Sequence, residues 1–104
     1  MTAIACHLNA IPIAERPAHQ AVTEQLFTTV ENVEELTDGY RFHWNAHRDV
    51  LPQLARFIQN ERLCCPFLQF EIHVVLNAET IRLVLRGAEG VKDFVKAEFI
   101  QREA

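Results

Sequence analysis

No apolar run in the chain approaches the roughly 18 residues that a membrane-spanning helix needs, so no span is expected. No basic stripe is present either. The ten Lys and Arg residues are scattered among fourteen Asp and Glu, and the formal net charge is −4, which excludes DNA and RNA as expected partners. The N-terminus lacks the basic start and long apolar region of a secretory signal, so the expected address is the cytoplasm. Cysteine is sparse and odd in number. Three residues argue against a disulfide framework and for free thiols in a reducing compartment. The five histidines show no metal-ligand spacing, and no Ser-His-Asp or paired-carboxylate arrangement stands out, so hydrolase chemistry has no support. Linkers and low-complexity segments are missing as well. With 49% hydrophobic and 23% charged residues, the 104 residues read as one domain, 1–104.

The pattern that is present describes an α+β fold. Residues 3–8 alternate as a first strand, with Ile4, Cys6 and Leu8 on one face. Pro12 breaks it, and Pro17 sits in the first turn of an amphipathic helix carried by Ala18, Ala21, Val22, Leu26 and Val30. Residues 32–36 and 39–45 follow as a weak edge strand and a clear one. Asp38-Gly39 between them is a hairpin signal, because glycine tolerates positive φ. Asp49 is placed to cap a second helix with Leu51, Leu54, Ala55, Ile58 and Cys65 on its stripe. Two strands then run through Leu68–Leu76 and Ile81–Arg86, and a last helix through 89–102 turns Val91, Phe94, Val95, Glu98 and Phe99 inward.

The order is β-α-β-β-α-β-β-α. It fits a ferredoxin-like fold with an added strand and helix, or a helix-plus-hairpin unit used twice. Either way a mainly antiparallel sheet of four or five strands carries its helices on one face. His43, His73, Arg41, Arg82, Arg86 and Glu71 then share the open face, which suits cross-strand ion pairs or self-association into a homodimer. A three-histidine site of His7, His43 and His73 is a rarer alternative there. The Gly87–Lys92 stretch opens the last helix and is read as a plain turn over an anion-binding loop.

The distinctive chemistry is the thiol pair Cys64-Cys65. Adjacent helical residues point about 100° apart and do not share a ligand. Pro66 disfavours helical angles at Cys65, so the chain is expected to leave the helix there and let the two sulfurs converge. Consecutive Cα atoms lie about 3.8 Å apart, under the roughly 4.4–6.8 Å of ordinary disulfides, so a bridge between them would be strained. A soft ion, Cu(I), Hg(II) or arsenite, suits two thiolates, with Cys6 as candidate third sulfur. Core packing is the competing reading of Cys6. The helix C-terminus raises a thiol pKa, whereas Arg62, three residues before Cys65, lowers it, and a new turn opened by Pro66 would also favour thiolate. Glu61 and Arg62 flank the stripe as a supporting shell or as a half-buried charge pair.

The run Glu61-Arg62-Leu63-Cys64-Cys65-Pro66-Phe67, followed by Phe70, resembles small bacterial proteins of unassigned function carrying a Glu-Arg-x-Cys-Cys-Pro-Phe motif. Asp38–Phe42 and Gly87–Phe94 share the likeness, which covers most of the chain. The resemblance implies a heavy-metal resistance setting. Three functions are therefore expected in turn: soft-ion binding by Cys64, Cys65 and Cys6, a thiol redox enzyme or sensor cycling Cys64, and an interaction module with inert cysteines.

Overall fold

In a computed structural model of the chain, residues 6–46, 49–75 and 79–101 are described. Two short 3-10 turns, Leu8–Ala10 and Ile13–Glu15, lead into α1 (Arg16–Thr28), which has Pro17 in its first turn. The missing N–H of proline is no loss there. A hairpin follows, β1 (Asn32–Glu35) and β2 (Gly39–Asn45), then α2 (Val50–Cys64) and a second hairpin, β3 (Gln69–Val75) and β4 (Thr80–Arg86). The short α3 (Val91–Val95) widens into one π-helical stretch, Lys96–Ile100. Among the described residues no helix is long and apolar enough to cross a membrane.

The fold is α+β, with one four-stranded antiparallel sheet ordered β1-β2-β4-β3. Its centre is the pairing of β2 with β4, where Phe42 lies opposite Leu83. This is the duplicated helix-hairpin arrangement: each unit contributes a helix, an outer strand and an inner strand. The expected strand over 3–8 is corrected where it is described. Cys6 and His7 are irregular, Leu8 begins a 3-10 turn, and Leu8 is 60% exposed; positions 3–5 lie outside the described residues. Local alternation alone cannot keep a segment in a sheet without a partner edge.

Tyr40, Phe42 and Trp44 of β2 and Ile81, Leu83 and Leu85 of β4 bury their side chains on the helix side. Phe27 of α1 joins the layers there, with ring centroids 5.1 Å from Phe42, 5.3 Å from Phe57 and 4.7 Å from Phe99. Trp44 Nε1 donates to the Leu26 carbonyl at 2.8 Å, so the buried indole keeps its polar bond.

Several local expectations need correction. Gly39 does not supply a positive φ. A Cβ on it would meet the Leu85 carbonyl oxygen at 2.0 Å and Arg86 Cα at 2.7 Å, so glycine is required for the close approach of β2 to β4. Asp49 holds the N-cap position of α2 without a side-chain capping bond. The buried side of α2 is Val50, Leu54, Phe57, Asn60, Glu61 and Cys64, whereas Leu51 and Ala55 are exposed. On the last helix Val91, Val95 and Phe99 are buried and Glu98 is exposed. That rotation of α2 carries its polar residues inward, and it creates the site.

Candidate metal centre at the end of the second helix

Glu61, Cys64 and Cys65 stand at i, i+3 and i+4, positions that neighbour one another on a helix surface. The Cys65 N–H still donates to the Glu61 carbonyl at 2.7 Å, but its φ of −126° and ψ of 69° take the chain out of the helix. Pro66 and Phe67 form the turn, closed by the Leu68 N–H on the Cys65 carbonyl at 3.1 Å. Leaving the helix at Cys65 brings its Sγ to 3.3 Å from Cys64 Sγ. Both thiols also reach the Glu61 carboxylate, Cys65 Sγ donating to Oε2 at 3.3 Å and Cys64 Sγ to Oε1 at 3.8 Å.

The third sulfur arrives from the N-terminal segment. The His7 N–H donates to the Cys64 carbonyl at 2.8 Å, satisfying a helix-end acceptor and pinning Cys6 against the corner. The ligand atoms of Cys6, Glu61, Cys64 and Cys65 all lie within 4.8 Å of one another. Cys64 and Cys65 are buried and Glu61 is 4% exposed, whereas Cys6 faces solvent. Access to the cluster is therefore from the Cys6 side.

Behind the carboxylate stands His19 of α1, with Nε2 2.9 Å from Glu61 Oε1 and its ring stacked on Phe57 at 5.8 Å. His19 is not among the residues that the sequence pattern singles out. The available signal is spacing: His19 lies three and seven residues before Val22 and Leu26, in line with the buried stripe of α1. Glu61, expected in a supporting role, belongs to the cluster itself. Arg62 does not. It is exposed and makes no hydrogen bond or ion pair among the described residues, whereas His19 is the basic side chain that meets the cluster's carboxylate.

Hydrogen bonds from Cys64 and Cys65 hold the Cys6 thiol down to about 4, against the opposing effect of burial and of the Glu61 and Glu98 charges. The same contact with Cys6 pushes Cys65 up, joined by its contact with Cys64, by burial and by Glu61. Cys64 is raised too, chiefly by Cys6 and then by burial, with Cys65 pulling the other way. The depressed thiol is thus Cys6 and not Cys64. Physically, the cluster favours negative charge on the solvent-facing sulfur and disfavours it on the two buried ones.

A cavity of about 560 Å³ opens beside this cluster, lined among others by Cys6, Cys64, Glu61 and His19. The other candidate groups do not assemble. His43 and His73 pair with Glu34 and Glu71 on the open sheet face, separated by Arg82 of β4. Lys92 pairs with Glu35, and the five-residue α3 that it belongs to makes no phosphate cradle. Comparison with family models, curated proteins and solved structures gives no match, so the chemistry is argued from this corner alone.

Proposed function

We propose that the protein binds a soft metal or metalloid ion through the sulfurs of Cys6, Cys64 and Cys65, with Glu61 as a fourth acceptor held by His19. The observation that carries this reading is the gathering of three sulfurs and a carboxylate within 4.8 Å. Four acidic groups so close resist full ionisation, and an ion that takes the place of their protons relieves that repulsion.

The spacing also ranks the candidate ions. At thiolate bond lengths of about 2.3 Å, sulfurs 3.3 Å apart subtend about 92° at a shared ion. That angle is far from the linear pair of two-coordinate Hg(II) or Cu(I) and close to a pyramidal three-sulfur centre. Arsenite fits best. Three thiols and As(OH)₃ give the tris-thiolate and three waters, with arsenic remaining trivalent.

The test is a free-thiol count with binding measured on reduced protein. Arsenite is expected to consume all three thiols. Cys64→Ser with Cys65→Ser abolishes uptake, and Cys6→Ser weakens it strongly. Reduced wild-type protein that takes up neither arsenite, Hg(II) nor Cu(I) removes this reading.

A thiol redox role is the second reading, favoured by the depressed Cys6 thiol beside two further sulfurs. Its thiolate would attack a peroxide, leaving a sulfenic acid and releasing hydroxide. Condensation with Cys64 would then give a disulfide and water. Peroxide consumption no faster in wild type than in Cys6→Ser counts against it.

A further inference from the structure

The cavity beside the cluster is not accounted for by a bare ion. An ion held by three sulfurs needs no volume beyond its ligand shell, yet about 560 Å³ lies against Cys6 and Cys64. That size falls within the roughly 300–1,000 Å³ of small-molecule sites. Leu8, Ile11 and Phe99 supply apolar wall, and Leu8 keeps 60% of its surface exposed at this place. Cys65, fully buried, does not line the cavity.

We infer that the preferred ligand is a mono-organyl arsenic(III) species, an arsenic atom carrying one carbon substituent that occupies this cavity. The inference rests on the soft-ion reading and adds the substituent. Cys6 and Cys64, the two sulfurs on the cavity wall, take the arsenic. R–As=O and two thiols give R–As(S-Cys6)(S-Cys64) and one water, with no change of oxidation state. The substituent lies against Leu8, Ile11 and Phe99. Cys65 keeps its proton and its contact with Glu61 Oε2 at 3.3 Å. Arsenite differs from such a ligand in two ways, since it has no group for the cavity and a third bond for Cys65.

The probes are phenylarsine oxide, methylarsine oxide and arsenite on the reduced 104-residue chain. Free thiols are counted after denaturation, and ethanedithiol is titrated in to strip the arsenical. Phenylarsine oxide is expected to leave one thiol free and arsenite none. Stripping the phenyl compound is expected to take at least ten times more ethanedithiol than stripping the methyl compound, after correction for their exchange with dithiothreitol alone. Leu8→Asp, a change at an exposed position, should erase that phenyl preference and leave arsenite uptake unchanged. If arsenite binds but the phenyl preference is absent, or survives in Leu8→Asp, the organic-ligand inference fails while the soft-ion reading stands. If no arsenical binds, the organic-ligand inference fails, and the soft-ion reading fails with it only when Hg(II) and Cu(I) are not taken up either.

Discussion

Charged groups gather in two places in this protein, and they are balanced in opposite ways. On the open sheet face Glu34 and Glu71 each meet an arginine and a histidine. Glu34 accepts from Arg41 at 2.7 Å and His43 at 2.8 Å, and Glu71 accepts from Arg86 at 3.1 Å and His73 at 3.3 Å. These groups are partly exposed, and their aliphatic stems help cover Val84, which is buried on this face between its register partners Arg41 and Glu71. At the end of α2, by contrast, three thiols and a carboxylate crowd together around a single histidine, mostly out of water. On the face, the carboxylates Glu34 and Glu71 are already paired as folded. The corner holds acidic protons that an external ion can replace, and that difference marks it as the binding site.

Removing one acid from each place gives the largest contrast. Glu61→Ala leaves His19 buried without its partner and is expected to lower stability by about 3–5 kcal/mol. Glu61→Gln should recover much of the loss, because an amide oxygen still accepts from His19. Glu34→Ala, in solvent, is expected to cost no more than about 1 kcal/mol. Equal effects from the two alanine variants would dissolve the distinction.

The pH dependence is expected to be of intermediate size. Cys6 is lowered to about 4 from an ordinary 9.0, so the unfolded chain holds the extra proton between those values and stability rises with pH across that window. Cys65 is raised above 9.0, so above that pH the unfolded chain ionises first and stability falls. Cys64 acts in the same direction. Subtracting the urea-midpoint curve of Cys6→Ser from that of wild type should therefore show a rise up to about pH 9 and a fall beyond it. A flat difference curve would mean that the sulfurs do not share protons.

The smallest effect belongs to the sheet face. Arg41, then His43, holds the Glu34 carboxyl below its usual range, so its contribution is present above pH 4.5 and is lost as pH falls through the folded value. The difference between wild type and Glu34→Gln should shrink on acidification and also in 1 M salt, where screening acts within about 3 Å. A difference that is insensitive to both would indicate packing and not charge.

Much of the fold is legible in the residues because periodicity is a local property. Tyr40, Phe42 and Trp44 alternate inward as read, and Pro66 ends α2 at Cys64. The stripe of α2 is legible only in part, because local periodicity puts Glu61 at its edge without naming the partners that turn Asn60 and Glu61 inward. Those partners, Glu15 and His19, lie 45 and 42 residues away. Cys6 likewise sits among alternating neighbours that locally describe a strand. Its actual position depends on the bond from the His7 N–H to the Cys64 carbonyl, which no local pattern encodes.

By itself, the sequence determined that two thiols meet at a proline-set helix end, because the constraint of Pro66 on Cys65 acts within a single dipeptide. Tertiary structure alone decided what surrounds them. The third sulfur, the histidine behind the carboxylate and the adjoining cavity come from three separate segments. Burial can turn Glu61 inward only once docking of α1 against α2 supplies a hydrogen-bond partner, since an unpaired buried carboxylate would be too costly to keep.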